Sequence, residues 1–89
     1  MPDQFSNMRF IVNPRAGNRR GDVETTIRQV LGGTGIVFDI IRTEHRGHAT
    51  ELARLAADDG IELVVAVGGD GMLNEVGKGL LERETILGL

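Results

Sequence analysis

The apolar run Leu63-Val64-Val65-Ala66-Val67 leads directly into Gly68-Gly69-Asp70-Gly71, and a helical stripe starts behind that corner. A strand that is apolar on both faces belongs inside a parallel sheet covered by helices. The chain therefore has to build layers on both sides of this segment. Three glycines let the backbone turn sharply and let a ligand come close to the amides. The helix behind them adds free N–H groups and a positive dipole end, which together suit phosphate. An acid, Asp70, stands in the middle of the turn, where a carboxylate makes sense if it holds a metal ion or takes a proton. The corner reads as a phosphoryl-transfer site rather than one for simple anion binding.

The rest of the chain alternates two periods. Met1 to Asn7 is polar and is expected to be a flexible leader, with the folded part spanning residues 8–89. Phe10-Ile11-Val12 is a short buried strand ended by Asn13-Pro14. Val23, Ile27, Val30 and Leu31 fall on one helical face, with Asp22 as the expected N-cap. Ile36 to Ile41 is strand-like, and Ala49, Leu52, Ala53 and Ala56 mark a second helix that closes near Gly60. Leu73, Val76 and Leu80 make a third stripe, and Ile86 begins a fourth strand. The order β-α-β-α-β-α-β implies an α/β fold, an open parallel sheet flanked by helices in a three-layer, Rossmann-like arrangement. Sites in such sheets lie beyond the carboxyl ends of the strands. Three of those ends carry distinctive residues: Asn13-Pro14-Arg15-Ala16-Gly17, Thr43 with Gly47-His48-Ala49, and the glycine corner. The fourth apolar run reaches the last residue with nothing to cover it, so the sequence is expected to be a truncated part of a longer chain.

Composition removes several alternatives. A net charge of −3 and only three aromatic residues, all Phe, argue against broad nucleic-acid binding. Arg9, Arg15, Arg19 and Arg20 leave one local basic patch. The absence of cysteine excludes disulfides and thiol catalysis. No stretch approaches the ~20 apolar residues of a membrane span, so a soluble, cytoplasmic protein is expected.

The better-known phosphate loops fail on residues. Walker A needs a Gly-Lys-Ser/Thr ending that is not present, and the dinucleotide fingerprint needs a third glycine where Asn74 stands. What remains, Gly-Gly-Asp-Gly with Asn-Glu on the following helical turn, resembles the diacylglycerol-kinase catalytic superfamily of lipid kinases. Asn13-Pro14-Arg15-Ala16-Gly17, Thr43 with Gly47-His48-Ala49, and Gly68 to Glu75 with Gly79-Leu80 match its motifs in order and spacing. The resemblance implies ATP-dependent, Mg²⁺-assisted transfer of the γ-phosphate to a lipid hydroxyl, in a cytoplasmic enzyme that visits the membrane surface. It puts Asn13, Arg15, Thr43, Gly69, Asp70, Gly71, Met72, Leu73, Asn74 and Glu75 at the nucleotide. Asp70 would be the catalytic residue, orienting Mg²⁺ or the acceptor hydroxyl, and some members are thought to use this carboxylate as the base. Many bacterial members have Thr where Met72 stands. The family also continues into a β-rich domain that carries lipid-binding surface, so these 89 residues alone are expected to be inactive.

Simpler readings stand beside these. Asp70 could be a plain N-cap, Glu75 a first-turn acid serving the helix dipole, and Asn13-Pro14 a turn starter. His45 and His48 could be drawn as zinc ligands, but no cysteine or second pair completes a site. NAD kinases and phosphofructokinases share the glycine corner, and a non-catalytic nucleotide-binding module is the rival of another class. An unpaired edge strand would predispose a truncated sheet to self-association.

Overall fold

The computed structural model describes residues 6–14, 20–81 and 85–88. Strands β1 (Asn7–Val12), β2 (Val37–Arg42), β3 (Leu63–Val67) and β4 (Ile86–Gly88) alternate with helices α1 (Arg20–Leu31), α2 (His48–Asp58) and α3 (Asp70–Gly79). All strand pairs are parallel and the sheet order is β2-β1-β3-β4. The expected α/β sheet is therefore present, with β1 and β3 at its centre.

Register assigns the two faces. Arg9 lies beside Asp39 and Val64, and Ile11 beside Ile41 and Ala66. These residues share the face covered by α2 and α3, where Ile11, Val64 and Ala66 pack with Ala49, Ala53, Ala56, Met72, Val76 and Leu80. Phe10, Val12, Ile40 and Arg42 lie on the other face, where Arg42 pairs with Glu24 of α1 at 2.7 Å. That ion pair marks the face on which α1 sits. Phe10 and Phe38 meet edge to face on the same side, with ring centroids 6.3 Å apart.

The α2 face is built from alanines. Three of them, all fully buried, let α2 lie close to the sheet and to α3. Gly79 completes the approach. A Cβ there would run into the Thr50 carbonyl oxygen and stand 2.8 Å from Ala53 Cβ and 3.1 Å from Arg54 N. The end of α2 is a Schellman motif: Ile61 N–H bonds Ala56 O, Gly60 N–H bonds Ala57 O, and Gly60 takes φ 80°. At this same end of α2, Arg9 bridges Asp39 at 2.9 Å and Asp59 at 3.2 Å, tying β1 to the edge strand and to the end of the helix.

Several boundaries differ from the sequence reading. Asn7 opens β1, and Ser6 donates to Glu62, so the last part of the expected leader belongs to the sheet. Helix α1 starts at Arg20, which places Asp22 in its first turn rather than at the N-cap. Val30 is 65% exposed although it belongs to the expected stripe. The other members of the stripe, Val23, Ile27 and Leu31, are half-buried. In α3 the buried residues are Met72, Val76 and Gly79, with Leu73 half-buried and the buried Leu80 just past the helix end.

Two expectations follow for stability. Gly79→Ala puts a methyl group against α2 backbone that cannot move aside, and the resulting overpacking outweighs the better helix propensity of alanine. A net loss of about 1–2 kcal/mol is expected in urea unfolding, and an unchanged midpoint would show that α2 and α3 can separate freely. The second concerns Glu62. The Ser6 amide first, and its hydroxyl second, hold the Glu62 carboxyl below the ordinary value of 4.5. A lowered carboxyl contributes stability above its unfolded value and loses it as pH falls through the folded one. Glu62→Gln should therefore flatten the acid limb of melting temperature against pH, below about 4.5, and an identical limb in the variant would count against the linkage.

Candidate functional site

The crevice of this sheet lies between β1 and β3. The chain leaves β1 toward β2 and later leaves β3 toward β4, so the connections diverge at this point. Such a switch point opens a groove at the carboxyl ends of the strands. Backbone bonds hold the ends in line: Asn13 N–H donates to Val67 O at 3.1 Å, and Thr43 N–H to Val12 O at 2.9 Å. Beyond them lies a cleft of about 380 Å³. Its walls are Asn13 and Pro14 after β1, residues Thr43 to Arg46 after β2, and Gly71, Met72 and Glu75 of α3. The three strand-end motifs thus meet at one place.

Gly68 sets how tightly they meet. It takes φ 157°, and a Cβ on it would stand 3.0 Å from Met72 Cβ and 3.4 Å from Asn13 Cβ. Gly69 is the N-cap of α3 and makes no side-chain cap bond. At Gly69 and Gly71 a Cβ would meet nothing within 4 Å, so the space over the first turn of the helix is open. The first-turn amides of α3 face that space with the positive end of the helix dipole.

Asp70 is the first residue of α3 and is exposed, so it is not the N-cap and its carboxylate is not used to close the helix. Glu75 has a definite partner: its Oε1 accepts the Gly47 N–H at 3.2 Å, and its own carbonyl accepts the Thr50 hydroxyl at 2.7 Å. The simple dipole role does not describe it, because it joins α3 to the N-terminus of α2. Gly47 takes φ 85° there, a left-handed conformation that favours glycine.

Of the residues singled out in the sequence, Asn13, Thr43, Gly71, Met72 and Glu75 line the cleft. Gly69 and Asp70 form the adjoining turn. Leu73 and Asn74 do not line it, since a helix with Gly71, Met72 and Glu75 on one side carries these two around to another. Met72 sends its side chain into the core and is 7% exposed. Arg15, like Ala16, Gly17 and Arg19, lies outside the described residues. Pro14 of the first strand-end motif also lines the cleft, as do Glu44, His45 and Arg46, which were not assigned to the nucleotide from sequence. Their position just after a parallel strand was the available signal.

His45, His48 and Glu51 bring ligand atoms within 4.8 Å of one another. The two rings nevertheless stack, 4.6 Å apart with planes 16° from parallel. Metal ligands donate in the plane of the ring toward one common point, which near-parallel stacked rings do not share. His48 Nδ1 already accepts the Glu44 N–H at 2.9 Å. This geometry is that of a loop fastening rather than of a metal centre.

Comparison with known proteins fits the site. The diacylglycerol kinase catalytic domain model matches residues 7–89. The chain belongs to that family. It is 38% identical over 82 residues to sphingoid long-chain bases kinase 1 of Arabidopsis thaliana, covering 85% of this chain and 10% of that protein. It is 44% identical over 81 residues to human sphingosine kinase 2, covering 83% of this chain and 12% of that one. The crystal structure of a diacylglycerol kinase from Bacillus anthracis str. Sterne superposes with a TM-score of 0.76 at 31% identity, covering 94% of this chain and 29% of that one. The chain therefore spans well under half the length of each of these relatives.

Gly68→Ala is expected to push Met72 and Asn13 apart at a cost of about 1–3 kcal/mol. It should lower the urea midpoint and shift the amide resonances of Asn13 and Met72 most of all. A variant with unchanged resonances there would show that the corner tolerates a side chain.

Proposed function

We propose that this chain is the nucleotide-binding part of an ATP-dependent lipid kinase, which transfers the γ-phosphate to a lipid hydroxyl. One observation carries the reading. At the switch point of the sheet, Asn13, Thr43 and Glu75 from three separate elements surround a cleft that opens onto the glycine-lined first turn of α3. Open space over Gly69 and Gly71 lets phosphate oxygens reach the first-turn amides. Asn13 and Thr43 face the other wall and would hold the rest of the nucleotide. Glu75 has one carboxylate oxygen on Gly47 and acts by fixing the rim. Arg15, from the same motif as Asn13, would neutralise phosphate charge.

Phosphoryl transfer asks the protein mainly to position groups and stabilise charge. The exposed carboxylate of Asp70, one residue from cleft-lining Gly71, suits either of two roles. It would hold Mg²⁺, directly or through water, or orient and deprotonate the acceptor hydroxyl. Mg²⁺ bound there would offset the charge on the phosphate oxygens. The acceptor reading rests on the relatives, which are named as kinases of sphingoid bases, sphingosine and diacylglycerol. Among the described residues no helix is long and apolar enough to cross a membrane. On this reading a cytoplasmic protein would meet the lipid at the membrane surface.

The sheet face that carries α1 supports a further domain of the same protein as a partner. Leu63, Val65 and Val67 on that face are only half-buried, and Ile86 is 52% exposed. Additional polypeptide of the kind the longer relatives carry would cover this half and supply the lipid pocket.

The test is phosphorylation of a panel of lipids by the protein expressed from its complete open reading frame, with Asp70→Asn beside it. Transfer to one lipid class that falls at least ~100-fold in the variant, with melting temperature retained, is the expected result. Transfer to NAD or a sugar phosphate instead would favour the small-molecule kinases. ATP binding with no transfer to any acceptor would indicate a non-catalytic nucleotide-binding module.

A further inference from the structure

Residues Thr43 to Gly47 form the rim of the cleft between β2 and α2. Three consecutive exposed residues, Glu44, His45 and Arg46, make up its outer part and all line the cleft. Exposed loop residues hold a fixed shape only where something fastens them. On the α3 side the fastening is Glu75, which accepts the Gly47 N–H. On the strand side it is the backbone bond from Thr43 N–H to Val12 O. Between these anchors, a side-chain bond to a rim amide comes from His48. Its Nδ1 accepts the Glu44 N–H at 2.9 Å, four residues back along the chain.

From this geometry we infer that His48 is a positioning residue: its Nδ1 lone pair sets the shape of the Thr43–Gly47 rim and so the affinity of the cleft for its nucleotide. His48 is absent from the cleft lining and acts through Glu44 and His45. Accepting at Nδ1 requires the ring proton to sit on Nε2, so the fastening selects one tautomer. The His45 ring stacks on His48, and His45 Nδ1 donates to Arg46 O at 2.9 Å. Through that contact the one ring sets the lie of both His45 and Arg46. The backbone repeats the turn, with His48 N–H donating to His45 O at 3.1 Å. Loss of the side-chain acceptor would therefore loosen the rim while leaving α2 seated by its buried alanines.

The inference rests on the nucleotide reading above, and two readouts keep the two apart. Asparagine carries its Oδ1 as many bonds from the backbone as histidine carries Nδ1, so His48→Asn keeps the acceptor and His48→Leu removes it. Both variants are compared with the parent in the protein expressed from its complete open reading frame. ATP affinity is measured by calorimetry, and exchange of the Glu44 amide by hydrogen–deuterium exchange. His48→Leu is expected to weaken ATP binding by about three- to ten-fold and to speed exchange at Glu44, with the melting temperature retained. His48→Asn is expected to stay within about two-fold of the parent in both. Unchanged affinity in His48→Leu would overturn the inference. So would an asparagine variant as weak as the leucine one, since the ring would then act by packing and not as an acceptor. If the parent binds no ATP, the nucleotide reading fails with the affinity claim, and Glu44 exchange decides the fastening alone.

Discussion

Parallel pairing of β1 with β3 is the constraint on which the rest of the molecule depends. These strands are not neighbours in sequence, and between them the chain must go out to the edge, form β2, and return over the sheet as α2. The return puts α2 and α3 on one face and leaves α1 on the other. It also makes the connections diverge between β1 and β3, which opens the cleft. The bond from Asn13 N–H to Val67 O extends the pairing one step past the strands. That brings the first motif to the glycine corner. The site is thus a consequence of strand order before any functional side chain is considered.

Close packing on the α2 face follows from small residues. Ala49, Ala53 and Ala56 carry little apolar area, so the face gains contact by proximity rather than by size. Gly79 allows α3 to come closer still. Close approach also lets short side chains bridge the two helices: Thr50 reaches the Glu75 carbonyl, and Glu75 reaches the Gly47 amide. Core packing and site geometry are therefore joined at the N-terminus of α2. A larger residue at Gly79 would act on the cleft rim as well as on stability.

The element order was legible from periodicity, because each strand or helix carries its own hydrophobic repeat. The convergence of three motifs was legible too, since parallel strands all deliver their carboxyl ends to one edge. Exact ends were less so. Asn7 is polar and reads as leader, yet its side chain bridges Gly60 O and the Glu62 N–H, contacts 53 and 55 residues away that no local pattern encodes. Within the site, Asn13, Thr43, Gly71 and Glu75 were found because their motifs point to them. Glu44, His45 and Arg46 were missed because they are exposed, charged or polar loop residues. Nothing local distinguishes such residues from solvated surface until the fold brings Glu75 and His48 against their backbone. Leu73 and Asn74 belong to the same motif but do not line the cleft, because the helical turn carries them away from Gly71, Met72 and Glu75.

The division of labour among the acids follows from where each sits on α3. Asp70 and Glu75 are five residues apart, a separation that turns a helix through well over a full revolution, so the two carboxylates leave it on different sides. Glu75 faces α2, where an N–H needs a partner and a fixed charge stiffens the rim. Asp70 sits at the first turn beyond Gly69, exposed and without a capping duty. A carboxylate placed next to a phosphate-seeking helix end disfavours the bare anion by repulsion and favours the same anion once a cation stands between them. Under the proposed function, the acid at that position would therefore make the corner favour metal-bound phosphate over free phosphate, without any additional residue.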